Sequence, residues 1–214
     1  MFGLFQRKAE PLGPFEFEHE TVIDRPAAEV YPLVDWADPR NAKRALGNKV
    51  EQVGSSPERF RMELNMLPDV VFNMTVTDVV PGRSYAFSND FARPIGRLTA
   101  SHEAFTVEPL DEQSCRLGLT VSATFVVGLS TEDLAREAVT MAMACEMALA
   151  KLKIQAEQGV EERVEGDALV LDLHDRVPGP DRRIRAAGIE KVVRRCEEHP
   201  GEHRGKMLER DGHA

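Results

Sequence analysis

The 214-residue chain is short of cysteine and of positive charge, and each shortage removes a class of protein. Its three cysteines, Cys115, Cys145 and Cys196, are too few and too odd in number for a disulfide scaffold, and they point to a reducing compartment. Lysine and arginine number 27 against 36 acids, a net charge of −9, so the basic footprint that nucleic-acid binding needs is missing. No apolar run approaches the ~18 residues of a membrane span. In the opening stretch Met1–Lys8 the basic residues follow a very short apolar patch, which is not the order of a secretory signal. Phe2, Leu4 and Phe5 could touch a membrane surface, but so short a segment yields little binding energy, and no stable insertion is expected. A cytoplasmic location is the expectation.

Three kinds of chemistry are also missing. Gly47, Gly54, Gly82, Gly96, Gly118 and Gly128 never cluster into a phosphate-cradling loop, so no nucleotide cofactor is expected. Cys196, His199 and His203 are metal-ligand types at workable spacing, but no second pair lies beside them. They read as a charged helix end broken by Pro200, and no metal is expected. No serine, histidine and acid assemble into a nucleophilic set.

What is present is an ordinary globular composition, 42% hydrophobic. Phe15, Phe17, His19, Thr21 and Ile23 alternate with Glu16, Glu18 and Glu20, the period of a half-buried strand. Arg25-Pro26 opens a helix with Asp24 as its expected N-cap, and a second short helix is expected over residues 40–46. A run of strands follows. Phe60, Met62, Leu64 and Met66 alternate with polar residues, Pro68-Asp69 is the expected turn, and Phe72, Met74 and Val76 resume the pattern. Further strands are expected at 85–87, 98–107 and 115–125, with 90–96 as a loop. Ser130–Asp133 resembles a capping box. It opens a long helix whose apolar stripe includes Leu134, Ala138, Met141, Ala142, Cys145, Leu149 and Leu152.

The expected fold class is α+β: a curved antiparallel sheet of about seven strands around a long C-terminal helix, with two short helices after strand one. Three segments are expected. They are an N-terminal extension (1–14), the sheet-and-helix domain (15–158) and a charged C-terminal extension (159–214), partly helical or disordered. The last holds four of the six histidines and one expected helix near 185–198.

This element order, with the local string from Thr21 to Tyr31, resembles the START-like or polyketide cyclase-dehydrase superfamily, the helix-grip fold, over about two-thirds of the chain. The resemblance implies a cavity between sheet and helix. It implies binding or transport of a small hydrophobic ligand (lipid, polyketide or quinone-like), or else a cyclase/dehydratase acting on a polyketide-like substrate there.

The candidate lining residues are those in phase with the helix-facing side: Phe60, Met62, Phe72, Met74, Phe125, Met141 and Cys145. Methionine adapts to irregular shapes, which suits a greasy pocket, although the same residues would also fill a plain core. His102, mid-strand among small residues, is the best candidate for ligand contact and acid–base work near neutral pH. His19 and Asp78 have weaker claims, because strand ends are usually solvated.

Overall fold

The computed structural model of the chain describes residues 11–65 and 67–160. The expectations for the C-terminal extension, including its helix, Cys196 and the histidines around it, lie outside the described residues. Seven strands form one antiparallel sheet in the order β1-β7-β6-β5-β4-β3-β2. Their bounds are β1 (Leu12–Ile23), β2 (Lys49–Gln52), β3 (Arg59–Leu64), β4 (Leu67–Val80), β5 (Ser84–Ile95), β6 (Leu98–Pro109) and β7 (Cys115–Phe125). Helices α1 (Ala27–Val34) and α2 (Ala42–Ala45) follow β1, and α3 (Thr131–Gln158) closes the described chain. The expected sheet-and-helix order holds.

The sheet is held by the alternation that the sequence displays. Along β7 every second residue from Cys115 to Phe125 is buried, and the residues between them are half-buried. β1 pairs with β7 from Phe15↔Ala123 to Ile23↔Cys115, so the first and last strands of the described chain lie side by side at one edge of the sheet. That face meets the α3 stripe, where Leu134, Ala138, Ala142, Cys145, Leu149 and Leu152 are all buried. Burial of the leucines in this stripe stabilises by about 1.5–3 kcal/mol each, and of the alanines by less.

Four local expectations change. Asp24 does not cap α1: the N-cap is Pro26, with no side-chain bond, and the Asp24 N–H donates instead to Glu157 Oε1 at 2.7 Å. The β3–β4 turn comes earlier than Pro68-Asp69, since β3 ends at Leu64 and β4 begins at Leu67. The segment 90–96 is not a loop but the far half of β5. Its pairing with β6 jumps from Asp90↔Ala100 to Ile95↔Leu98, and Pro94, which has no N–H to give a ladder, falls in the skipped stretch. Finally, β2 is a strand that four residues with one buried position, Val50, are too short to announce.

The α3 N-terminus is capped as expected. Ser130 Oγ accepts from the Asp133 N–H at 3.1 Å, and Arg97, in the β5–β6 turn, pairs with the Asp133 carboxylate at 2.9 Å. The other end is clamped to the β1–α1 corner. Lys153 Nζ donates to the Val22 carbonyl and pairs with Glu157, both at 2.6 Å, while Arg25 Nη2 donates to the Glu157 carbonyl at 2.7 Å. Among the described residues no helix is long and apolar enough to cross a membrane.

Candidate functional site

Helix α3 has a second apolar face beside the one that meets the sheet. Thr140, Met143, Ala144, Met147, Ala148 and Lys151 recur at three- and four-residue steps, about 140° around the axis from the buried stripe. This face borders a cavity of about 430 Å³, within the range of small-molecule sites. Phe87 of β5 with Glu103 and Phe105 of β6 make its floor. Leu33 and Val34 of α1, Trp36 in the following turn, and Asn41, Ala42 and Lys43 make the opposite wall. Met143 is 38% exposed, so the cavity meets solvent along α3.

The wall is shaped by a polar frame. Asn41, 1% exposed, caps α2 by accepting from the Lys43 N–H at 3.0 Å and donating to the Asp35 carbonyl at 3.0 Å. Arg44 then holds both sides of the bend, donating to the Trp36 carbonyl at 2.9 Å and the Val50 carbonyl at 2.6 Å. These bonds set Lys43 and Trp36 on the cavity. Trp36 packs edge-on against Phe87 with ring centroids 5.2 Å apart.

Glu103 is the one acidic group among the lining residues. The Asn89 side-chain N–H donates to Glu103 Oε1 at 2.9 Å and to Ser101 Oγ at 3.0 Å. Burial pushes the Glu103 carboxyl above the usual range, against the opposing pull of Lys43, Asn89 and Ser101. Cys145, behind it on α3, is pushed up to about 12, mainly by burial and then by the Glu103 charge. A carboxyl kept toward its neutral form at an apolar cavity can donate a hydrogen bond or a proton to what enters.

None of the eight residues picked out by sequence spacing borders this cavity. Four come together elsewhere: Phe60↔Met74 and Met62↔Phe72 are cross-strand pairs of β3 and β4. Phe60, Met62 and Met74 are buried in the common core, with Phe72 packed against it. Phe125 and Cys145 are also core, and Met141 packs against it. His102 lies on the other face of β6 from Glu103 and Phe105, where Nε2 is 3.0 Å from Thr77 Oγ1. His19 sits on β1 opposite Leu119. The residues missed are Glu103, Trp36 and Lys43. Glu103 had a signal, since it is an acid in phase with Phe105 and Val107, both of which are buried.

No protein-family profile matches the sequence, and no curated protein does. Solved structures do. The di-domain ARO/CYC protein BexL, from the BE-7585A biosynthetic pathway, superposes with a TM-score of 0.54 at 23% identity over 68% of this chain. The chain spans about half, 46%, of BexL's length. Truncated norcoclaurine synthase from Thalictrum flavum matches 70% of the chain at 12% identity and TM-score 0.49. A START superfamily protein from Mycobacterium smegmatis matches 62% at 14% and 0.42. The chain shares the fold of BexL, a helix-grip arrangement of an antiparallel sheet and a long C-terminal helix.

Proposed function

We propose that the protein binds a small hydrophobic molecule, polyketide-like, lipid or quinone-like, in the cavity between α1–α2, the β5–β6 floor and α3. The observation that carries this reading is the cavity itself: about 430 Å³, walled largely by aliphatic and aromatic side chains, with a single acid in its floor. An apolar wall supplies affinity through burial, about 25 cal/mol per Å², and a few polar groups supply orientation. The likeness in fold to BexL supports the same reading. Native mass spectrometry of freshly purified protein, followed by identification of the bound mass, tests it. Trp36, the chain's one tryptophan, reports occupancy independently through its emission. Protein that carries no small molecule, and whose Trp36 emission ignores every apolar probe, would overturn it.

A second reading, cyclase or dehydratase chemistry on a polyketide-like chain, is favoured by Glu103 alone. With His102 turned to the other face, Glu103 is the group placed to give or take a proton at the cavity. In this reading Glu103→Gln leaves ligand affinity nearly intact and slows turnover by about 10²–10⁴-fold, the usual worth of an acid–base group. A product screen with the co-purifying compound separates the two.

A further inference from the structure

The polar groups around the cavity are nearly all spoken for, and what is left points to the kind of molecule it holds. The Thr140 hydroxyl donates to the Arg136 carbonyl at 2.9 Å. Asn41 accepts from the Lys43 N–H and donates to the Asp35 carbonyl. Lys43 acts on Glu103 itself, and Lys151 has a partner of its own. The Trp36 indole nitrogen is sealed inside the wall, out of reach of anything in the cavity. Glu103 is different: it is half-buried and borders the cavity. A carboxylate has about four acceptor sites, and Asn89, Ser101 and Lys43 account for three at most. Burial still pushes this carboxyl up against all three, so they do not replace the water it has lost. Beside it the floor is aromatic. Phe87 lies stacked at 6.4 Å from Phe105 and edge-on to Trp36.

We infer that the molecule held in the cavity is a neutral, phenol-type compound whose O–H donates to the Glu103 carboxyl while its ring lies against Phe87 and Phe105. The inference rests on the binding reading above and deepens it, because it chooses among the ligands that reading allows. A quinone offers only acceptors, and a carboxylate would set its charge beside that of Glu103. A hydroxyl suits the carboxyl in either protonation state, since it can donate to the ionised form and accept from the neutral one. The low dielectric of an apolar cavity strengthens the bond.

The alternative role for Glu103 is internal, a tie between Lys43, Asn89 and Ser101 that no ligand touches. Calorimetric titration of the full chain with 2-naphthol and its methyl ether, 2-methoxynaphthalene, separates the two roles, and Trp36 emission reports entry into the cavity. The ether keeps the ring and the oxygen but has no proton to give. Its extra methyl is worth about fourfold in affinity when buried, so apolar burial alone ranks the ether first. The parent should reverse that order. Glu103→Met should restore it, moving the ratio of the two affinities by about tenfold. The ratio is taken within one protein, so a general loosening of the cavity cancels, and a cooperative unfolding transition shows that the variant is folded. The order of the two probes in the parent is decisive even without the variant. Tighter binding of the ether there, with Trp36 responding to both, would overturn the hydroxyl preference and leave the binding reading standing. A ratio that survives in folded Glu103→Met would overturn the assignment to Glu103. Failure of both probes to bind would overturn the binding reading and this inference with it.

Discussion

Glu103 and Cys145 share one environment, and each reports on it differently. Burial makes the folded chain hold the Glu103 proton more tightly than the unfolded chain does. The stability this confers is complete below the unfolded-state pKa of a glutamate and is lost as pH rises through the higher folded value. Glu103→Gln removes the titration and keeps an oxygen for Asn89 to donate to. Denaturant unfolding of both proteins between about pH 5 and about pH 8 should show the variant gaining on its parent as pH rises. Parallel curves would mean that Glu103 is solvated. Cys145 is 3% exposed and Cys115 fully buried, both with raised pKa values, so neither presents thiolate at neutral pH. Thiol labelling mapped by peptide mass should modify them only under unfolding conditions; labelling of Cys145 in the native state would mean that α3 is not seated on the sheet. That Glu103 escaped sequence reading has a physical cause. Ala100 and Ala104 flank His102 on the other face, and small residues there blur the contrast that marks a strand's inner side. Asn89 was harder still. A buried polar residue that follows Tyr85 and Phe87 in phase looks like the end of a strand until its partner on β6 is known.

Among the elements, α3 decides both fold and site. Its buried stripe was readable because Leu134, Ala138, Ala142, Cys145, Leu149 and Leu152 follow the helical period and meet the sheet. Its cavity face was not, because Thr140, Ala144 and Lys151 are not apolar enough to register as a second stripe. Methionines 143 and 147 belong to that face, whereas Met62 and Met74 proved to be sheet core. The orientation of α3 depends on the clamp at its C-terminal end. Glu157 is largely buried as a side chain and takes hydrogen bonds from the Asp24 N–H and from Lys153, both of which favour its ionised form. Burial opposes that, but the net effect holds its carboxyl below the usual range, so the clamp is present near neutral pH and is lost as pH falls through the folded pKa. Glu157→Ala should cost about 1–3 kcal/mol in denaturant unfolding at neutral pH, the worth of hydrogen bonds to a charged group. The loss should shrink in acid, where the parent has surrendered the same bonds. A neutral-pH change below about 0.5 kcal/mol would mean that the helix end is held by packing alone.

At the scale of the whole molecule, the seven strands and three helices of the described residues close a core. A chain ending at Val160 should therefore unfold cooperatively, with a Tm within a few degrees of the full chain's. Loss of the cooperative transition would place core residues in the C-terminal segment. Element order was plain in the sequence because strands at period two and a helix at period 3.6 are local signals. The cavity was not, since it forms where α1, α2, β5, β6 and α3 meet, and no local pattern encodes that meeting. Its position is what separates this account from the one that spacing suggested, and methionine side chains mark both places. Methyl-resolved NMR of the eight methionines, titrated with 2-naphthol, tests it most directly. The signals of Met143 and Met147 should move with saturation while Met62 and Met74 hold still. Saturable shifts at Met62 and Met74 with Met143 and Met147 unmoved would put the ligand in the β3–β4 layer and contradict the site described above.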